Sequence, residues 1–285
     1  MFWTDEIFRT DVRRNSVGLV LLVCGFGTGD ADEMERTYGR LVEEAREAAF
    51  ETEPHVSVRL ALTSDRIIER LYRESGIRVP DVRSAMEDIL GGKFAGEIEE
   101  IRILTAQAVG GREFKKLEAI ADFYRSKVRI SLDSPLLAGP KIERLADILV
   151  DEAASFKEEA IVYVGHGTHG RDPCGSASYQ KLQKLIRGRG NGNIFIGELQ
   201  TGIGPVIREL SEKAFRRIRL CSLMMVSGHH WIEDVAGDKE DSWRNMLAEA
   251  GYEVTCARTG LLERREVREI LLGGTEKHSF PCFFE

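Results

Sequence analysis

Two histidines and one glutamate lie after apolar, strand-like runs in the second half of this 285-residue sequence: His166, Glu198 and His230. Two imidazoles and a carboxylate suit a borderline divalent metal ion, and three protein ligands leave coordination positions open for water or a substrate. Because the carboxyl ends of parallel strands meet at one edge of a sheet, we expect these side chains to converge there. The sequence therefore predicts a divalent metal site in its second half.

The sequence contains an internal repeat, and only the second copy carries the two histidines and the glutamate. An apolar run enters Gly25-Phe26-Gly27-Thr28 in the first half and Gly165-His166-Gly167-Thr168 in the second. Two further repeated segments match the runs before Glu198 and His230 with segments of the first half. At the matched places the first copy has three other side chains: Phe26, Thr63 and Glu113. Glycines permit a tight turn after the strand, and the phenylalanine indicates that such a turn does not require a histidine.

These residues also have plainer interpretations. Glu198 alone fits an acid at the N-terminus of a helix predicted over 202–214, stabilised by the helix dipole. Together with two histidines it fits a metal ligand. His229 and His230 are adjacent in an extended loop, so they point in different directions and only one is expected to bind metal; His169 is interpreted as a loop histidine. The acids that follow are typical of a solvent-facing loop, or they attract a cation or orient an imidazole: Glu233, Asp234, Asp238, Glu240 and Asp241.

Eight β-rich runs alternate with longer helical stretches, which predicts parallel strands joined by crossover helices. The predicted strands are 19–24, 56–62, 100–105, 128–132, 160–164, 193–197, 217–223 and 252–256. The predicted helices are 31–50, 64–74, 114–126, 141–157, 202–214 and 241–250. The fold class is therefore α/β, with two similar Rossmann-like domains, parallel sheets related by internal duplication, and a cleft between them. The repeat places the domains at 1–139 and 140–285, and the ends, 1–16 and 274–285, are predicted to be caps, tails or dimer contacts.

The composition is that of a globular protein without a membrane or nucleic-acid partner. Hydrophobic residues make up 42% of the chain and charged residues 31%, and no apolar stretch approaches the length of a membrane span. The net charge of −7 argues against a nucleic-acid binder, whose surface is usually basic. Five widely spaced cysteines without a C-x-x-C pair, and no recognisable signal peptide, predict a cytoplasmic protein with reduced thiols.

Several other catalytic classes lack their motifs. Residues 25–29 read G-x-G-x-G rather than the G-x-G-x-x-G of a dinucleotide-binding turn. No G-x-x-x-x-G-K-[ST] loop occurs, so an ATP-driven reaction is not expected, and no G-x-S-x-G element of a serine hydrolase occurs. We therefore predict no bound organic cofactor.

From about residue 18 to 272, the sequence resembles the anaerobic, ATP-independent sirohydrochlorin cobaltochelatases of the ferrochelatase-like chelatase superfamily. The resemblance rests on an ordered series of motifs: Gly25-Phe26-Gly27-Thr28, Leu62-Thr63-Ser64, Gly111 with Glu113-Phe114, Gly165-His166-Gly167, Glu198, Gly228 through Trp243, and Gly260-Leu261 with Glu263. The sequence departs from the family at His229, where an aspartate is usual. The segment from His166 to Tyr179 is also longer, because Arg171-Asp172-Pro173-Cys174 is inserted.

The resemblance implies insertion of Co²⁺ into sirohydrochlorin, or a closely related tetrapyrrole, without ATP in anaerobic cobalamin biosynthesis. It implies that His166, Glu198 and His230 contact the metal, that His166 and Glu198 are catalytic, and that His166 accepts protons. The divalent metal is then a substrate, the partner is a tetrapyrrole, and a homo-oligomer is allowed. Two alternatives remain: a ferrochelatase or nickel chelatase acting on a related tetrapyrrole, and a non-catalytic carrier of metal or tetrapyrrole.

The residue types suit this reaction. Insertion of a divalent ion removes two pyrrole N–H protons, and a neutral imidazole is a suitable acceptor near neutral pH. Co²⁺, Ni²⁺, Fe²⁺ and Zn²⁺ all accept two imidazoles and a carboxylate, so the ligands alone do not choose the metal. The substrate's carboxylates should pair with basic side chains, for which Arg112 and Arg219 are candidates.

Overall fold

The computed structural model describes residues 18–52, 56–92, 95–167 and 173–273. The two chain ends, for which caps, tails or dimer contacts are predicted, lie outside the described residues. So do His169 and the first part of the predicted insertion, residues 171–172.

The first half forms a four-stranded parallel sheet. Its strands are β1 (Leu19–Gly25), β2 (Val56–Leu62), β3 (Glu100–Ala106) and β4 (Arg129–Leu132). Their order across the sheet is β2-β1-β3-β4. The central strand, β1, is buried along its whole length, which explains why its sequence is apolar throughout instead of alternating.

The second half repeats this sheet. Its strands are β5 (Glu159–Gly165), β6 (Ile194–Glu198), β7 (Arg217–Ser222) and β8 (Glu253–Ala257). Their order is β6-β5-β7-β8, and every pair is parallel. The second sheet therefore has the strand order of the first, which confirms the predicted α/β class with two similar parallel sheets.

Helices connect the strands, and three of them were not predicted. The helices are α1 (Ala31–Met34), α2 (Arg40–Thr52), α3 (Asp65–Ser75), α4 (Val82–Gly91), α5 (Arg112–Tyr124), α6 (Lys141–Ala153), α7 (Pro173–Gly188), α8 (Gly204–Ser211), α9 (Trp243–Glu249) and α10 (Arg265–Leu271). π-Helical segments occupy Glu35–Gly39 and Trp231–Val235, and 3₁₀ turns occupy Ala95–Glu97 and Leu261–Glu263.

The unpredicted helices, α4, α7 and α10, nevertheless carry helical spacing of apolar residues. In α7 the buried side chains are Tyr179, Leu182 and Ile186, which recur on one helix face. The last residues of the inserted segment before Tyr179 begin this helix. In α4 the cap was also present in the sequence, because Asp81 accepts hydrogen bonds from the backbone of Arg83 and Ser84.

The described residues form two compact units with their own cores. One contains the described residues of 1–135 and 268–285, and the other is Leu136–Val267. These bounds differ from the predicted halves, 1–139 and 140–285, chiefly because α10 is divided and its last residues belong to the first unit. Arg268 provides a physical reason, since its guanidinium makes two hydrogen bonds, of 2.8 and 2.7 Å, to the carboxylate of Glu44 on α2.

Both sheets bury apolar side chains against their helices. In the second unit, Val162, Val164 and Leu220 pack with Trp231 and Trp243 in one cluster. Fully burying a side chain of this size contributes about 1.5–3 kcal/mol each relative to exposure. Burial also raises the pKa of the Cys24 thiol above its ordinary value and that of Cys221 to about 12, so these thiols stay protonated and pack as small apolar groups.

The central strand of each sheet ends in a glycine that lies against a tyrosine. A Cβ atom on Gly165 would lie 2.5 Å from Cε1 of Tyr179 on α7. A Cβ atom on Gly25 would collide in the same way with Tyr38, in the helical segment after β1. Only glycine therefore fits at either strand end, because the aromatic ring occupies the space of a side chain.

We predict that Gly165→Ala lowers the free energy of unfolding by about 1–3 kcal/mol, because the added methyl group forces Tyr179 or the strand end to move. Urea-induced unfolding of the purified variant measures this change. Gly188→Ala is the matched control, since a Cβ atom there has no neighbour within 4 Å. Equal stability of the two variants would contradict the predicted close packing.

Candidate metal-binding and catalytic site

The strand register places two of the predicted site residues at one edge of the second sheet. Gly165, the last residue of β5, lies opposite Glu198, the last residue of β6. The backbone N–H of Leu199 then donates to the carbonyl of Gly165 at 3.0 Å. His166 and Glu198 therefore leave neighbouring strands at the same level, as the sequence predicted for strand ends.

The turn that carries His166 is fixed by its glycines and by Tyr179. Gly167 has φ +79°, a conformation that favours glycine. The Tyr179 hydroxyl forms a hydrogen bond with the Gly167 backbone. Burial raises the pKa of this hydroxyl; the hydrogen bond lowers it, and the negative charge of Glu198 raises it. The Nδ1 atom of His166 lies 3.1 Å from the carbonyl oxygen of Gly167. The imidazole is thus held beside a turn whose path α7 determines.

Glu198 is held from two sides. The Ser176 hydroxyl, on α7, donates to its Oε2 atom at 2.9 Å. A Cβ atom placed on Gly167 would lie 3.3 Å from that same Oε2 atom, so the carboxylate lies against the His166 turn. The preceding residue, Gly197, packs against Trp243, with only 2.5 Å between its hypothetical Cβ atom and the indole ring. These contacts hold the end of β6 between two helices.

His230 immediately precedes the π-helical segment Trp231–Val235, in which two apolar residues are buried and Ile232 is exposed. Trp231 is 1% exposed and Val235 is fully buried, so this segment is anchored in the core of the second unit. The His230 side chain is half-exposed, and its Nδ1 atom lies 2.7 Å from Oδ2 of Asp234. Of the three interpretations of the acidic residues after His230, this contact supports the orientation of an imidazole.

The loop that carries His230 is also supported by the segment after β8. The backbone N–H groups of Leu261 and Leu262 donate to the carbonyls of Met224 and Met225 at 2.9 and 3.0 Å. A Cβ atom on Gly260 would lie 2.9 Å from the Met225 carbonyl oxygen. The closing motif of the sequence therefore acts as a backbone support for the loop after β7.

The structure brings the two predicted histidine ligands together. The ring centroids of His166 and His230 are 4.7 Å apart, with an interplanar angle of 70°. The centroid of the exposed His229 ring lies 5.8 Å from that of His230. Within the parts of the chain that are described, no group of three or more His, Cys, Asp or Glu side chains is arranged to hold a metal ion. A three-ligand arrangement is therefore not preformed in the described residues.

The corresponding edge of the first sheet has the same backbone but different side chains. Phe26 occupies the place of His166 and is 47% exposed. In the strand register Gly25 lies opposite Leu62, so Leu62, and not Thr63, is the counterpart of Glu198. The match from sequence was wrong by one residue. Thr63 is buried and its carbonyl accepts a hydrogen bond from Lys116 at 3.0 Å.

One of the two candidate arginines for substrate carboxylates has another role. Arg219 donates to Glu159 at 3.2 Å, and its guanidinium lies 4.2 Å from the centroid of the Phe156 ring. The Arg219 guanidinium is therefore already paired with a carboxylate. The residue also lies within β7 and not at the end of the strand. Arg112 begins α5 beyond β3, and its side chain is 87% exposed.

Tyr179 and Ser176 were not predicted as parts of the site, whereas orientation of an imidazole was one of the interpretations of the acids that include Asp234. A signal for Tyr179 was present, because Gly25-Phe26-Gly27 is followed by Tyr38 as Gly165-His166-Gly167 is followed by Tyr179. The Gly27 N–H donates to the Tyr38 hydroxyl at 3.1 Å, which repeats the same contact in the first unit. Ser176 gave no such signal, because its role depends on where α7 passes β6.

Comparison with known proteins identifies the family of this chain. The model of the family described as "Cobalt chelatase (CbiK)" matches residues 20–277. The chain belongs to the cobalt chelatase (CbiK) family. Two relatives are called sirohydrochlorin cobaltochelatase. The one from Nitratidesulfovibrio vulgaris is 29% identical over 239 residues, covering 81% of this chain and 80% of the relative. The one from Salmonella typhimurium is 26% identical over 256 residues, covering 88% and 93%.

A solved structure shares the fold of this cobalt chelatase family member. SirB from Bacillus subtilis, determined with Fe³⁺, superposes with a TM-score of 0.60 at 13% sequence identity. The match covers 90% of this chain and 93% of SirB. At this identity the likeness concerns the fold, and it agrees with the two parallel sheets described above. In the described residues, no helix is long and apolar enough to cross a membrane.

We predict that Tyr179→Phe lowers turnover by the cobalt chelatase as well as stability. The variant leaves the buried Gly167 N–H without its partner, a change that costs about 1–3 kcal/mol, and it frees the turn that carries His166. Metal insertion and thermal unfolding are measured on the same preparation. Tyr38→Phe is the control, because it removes the equivalent bond beside Phe26; a similar loss of turnover in both variants at equal stability would contradict a specific role of Tyr179.

Proposed function

We propose that this protein inserts Co²⁺ into sirohydrochlorin, or a closely related tetrapyrrole, without ATP. The observation that carries the proposal is the pair of imidazoles, His166 and His230, 4.7 Å apart at the edge of a sheet where Glu198 also ends its strand. Membership of the cobalt chelatase family and the names of the two relatives support the same activity. Cobalamin biosynthesis in the cytoplasm remains the predicted setting.

In this proposal, His166, Glu198 and His230 bind the incoming ion, which is a substrate. Imidazole and carboxylate are ligands of intermediate strength, so the ion can be held and then released to four pyrrole nitrogens. The contact of Ser176 with one carboxylate oxygen of Glu198 restrains the direction of that ligand. The half-exposed His230 ring gives the ion access from solvent.

The reaction exchanges one divalent ion for two protons. Two pyrrole N–H bonds break, their electron pairs stay on nitrogen and bind Co²⁺, and the two protons leave, so charge is balanced without ATP or a redox partner. We propose that His166 accepts protons, because a neutral imidazole can take a proton near neutral pH and pass it to water. The hydrogen bond between His166 Nδ1 and the Gly167 carbonyl leaves the free lone pair on Nε2, so Nε2 can accept a proton once the ion has passed from it to the pyrrole nitrogens.

Anaerobic metal insertion with purified protein tests the function. Sirohydrochlorin is mixed with Co²⁺, Fe²⁺ or Ni²⁺ in the absence of ATP, and the absorbance change of the macrocycle is followed against the uncatalysed rate. Fastest insertion of Co²⁺ is the expected result. Preference for Fe²⁺ or Ni²⁺ would support the other chelatases, whereas binding of metal or tetrapyrrole without turnover would identify a carrier.

Replacement of single histidines separates their roles. We predict that His166→Ala nearly abolishes insertion, because it removes a metal ligand and the proton acceptor, and that His230→Ala is also severe. His229→Ala is expected to be milder, because the ring paired with His166 at 4.7 Å is that of His230. Rates are measured with folded variants at several Co²⁺ concentrations. If His229→Ala were inactive while His230→Ala kept turnover, the assignment of ligands in this loop would be wrong.

A further inference from the structure

We infer that Asp234 is a positioning residue, which fixes the nitrogen through which His230 binds the metal. This inference rests on the proposed function. Its basis is the 2.7 Å contact between Oδ2 of Asp234 and Nδ1 of His230. An ionised carboxylate only accepts hydrogen bonds, so Nδ1 carries the proton and the lone pair lies on Nε2. The ring is thereby restricted to one tautomer and one direction.

The backbone conformation around this pair brings the two side chains together. His230 and Asp234 are four residues apart on the helical segment that contains Trp231–Val235, and side chains at this spacing meet on one helix face. Trp231 and Val235 lie on the buried side of the segment. With those two residues packed in the core, the imidazole and the carboxylate are both left on the solvent side, where 50% and 42% of their side chains are exposed.

The neighbouring acidic residues Glu233 and Asp238 form ion pairs with other side chains. Glu233 pairs with Lys239 at 3.0 Å, and Asp238 pairs with Arg244. Asp234 is thus distinguished from them by its bond to an imidazole. General attraction of a cation by the acidic segment would depend on all of these charges alike, whereas orientation of His230 depends on Asp234 alone.

The two imidazoles of the site are supported by different groups. His166 Nδ1 lies against a neutral backbone carbonyl, whereas His230 Nδ1 lies against a carboxylate. A carboxylate behind a metal-binding imidazole makes it a stronger electron donor, and loss of such a partner typically weakens metal binding about 10- to 100-fold. We therefore assign His230 as the stronger of the two histidine ligands, with Asp234 as the cause.

The test compares Asp234→Asn and Asp234→Ala with Asp241→Asn. Asp241 is exposed and belongs to the acidic stretch 233–241, beyond the helical segment that carries His230, so its replacement removes one negative charge outside that segment. Titration of the full-length protein with Co²⁺ alone gives the dissociation constant, and the visible d–d absorption of bound Co²⁺ reports its ligand field. Steady-state insertion then gives KM for Co²⁺ and kcat separately.

For Asp234→Ala we expect Co²⁺ binding to weaken about 10- to 100-fold, with a changed d–d spectrum and a raised KM for Co²⁺. Asp234→Asn, which keeps the shape of the side chain, should show the same direction of change and serves if the alanine variant does not fold. Asp241→Asn should match the unchanged protein. An unaltered affinity and spectrum in both Asp234 variants would overturn the inference, as would an equal loss in Asp241→Asn, which would indicate a charge effect only.

The metal titration keeps this inference separate from the proposed function. If the unchanged protein binds Co²⁺ through His230 but does not insert it into sirohydrochlorin, the proposed function fails while a loss of affinity in Asp234→Asn still supports the role of Asp234. If insertion proceeds normally in the unchanged protein and in both Asp234 variants, with KM for Co²⁺ unaltered, the inference fails and the function stands.

Discussion

The parallel pairing of β5 with β6 and β7 is the constraint on which the site depends. Buried strands must pair their backbone N–H and C=O groups, and this pairing leaves no freedom in where each strand ends. Gly165 consequently lies opposite Glu198, and β7 ends beside them before the loop that carries His230. Side chains of three distant sequence segments reach one edge because the hydrogen-bond ladder sets the level of each strand end.

The duplicated architecture separates what the backbone needs from what the chemistry needs. In both units a glycine ends the central strand and a tyrosine of the following helical segment binds the turn. These features recur although Phe26 and His166 differ completely in chemistry, so they belong to the fold. His166 and Glu198 correspond to Phe26 and Leu62 in the repeat, so the fold does not require them, which is consistent with their proposed role in the chemistry.

Contacts from neighbouring groups restrain the side chains of the three candidate ligands. Ser176 restrains Glu198, the Gly167 carbonyl contacts His166, and Asp234 contacts His230. Such contacts are needed because imidazole and carboxylate groups rotate freely in solution, and a metal ion must be held strongly enough to lose water yet weakly enough to leave. The fold thus restrains three candidate ligands near one edge of the second sheet and leaves the His230 side chain half-exposed.

The sequence by itself determined the elements and the type of chemistry. Short apolar, β-rich runs predicted the eight strands, and residue types after three of them predicted His166, Glu198 and His230 as candidate ligands, because both signals are local. Tertiary structure decided the one-residue shift that pairs Gly25 with Leu62, the passage of α7 behind Glu198, and the approach of two imidazoles to 4.7 Å. Strand register and side-chain contacts depend on partners that are distant in sequence, so a local pattern of residues does not predict them.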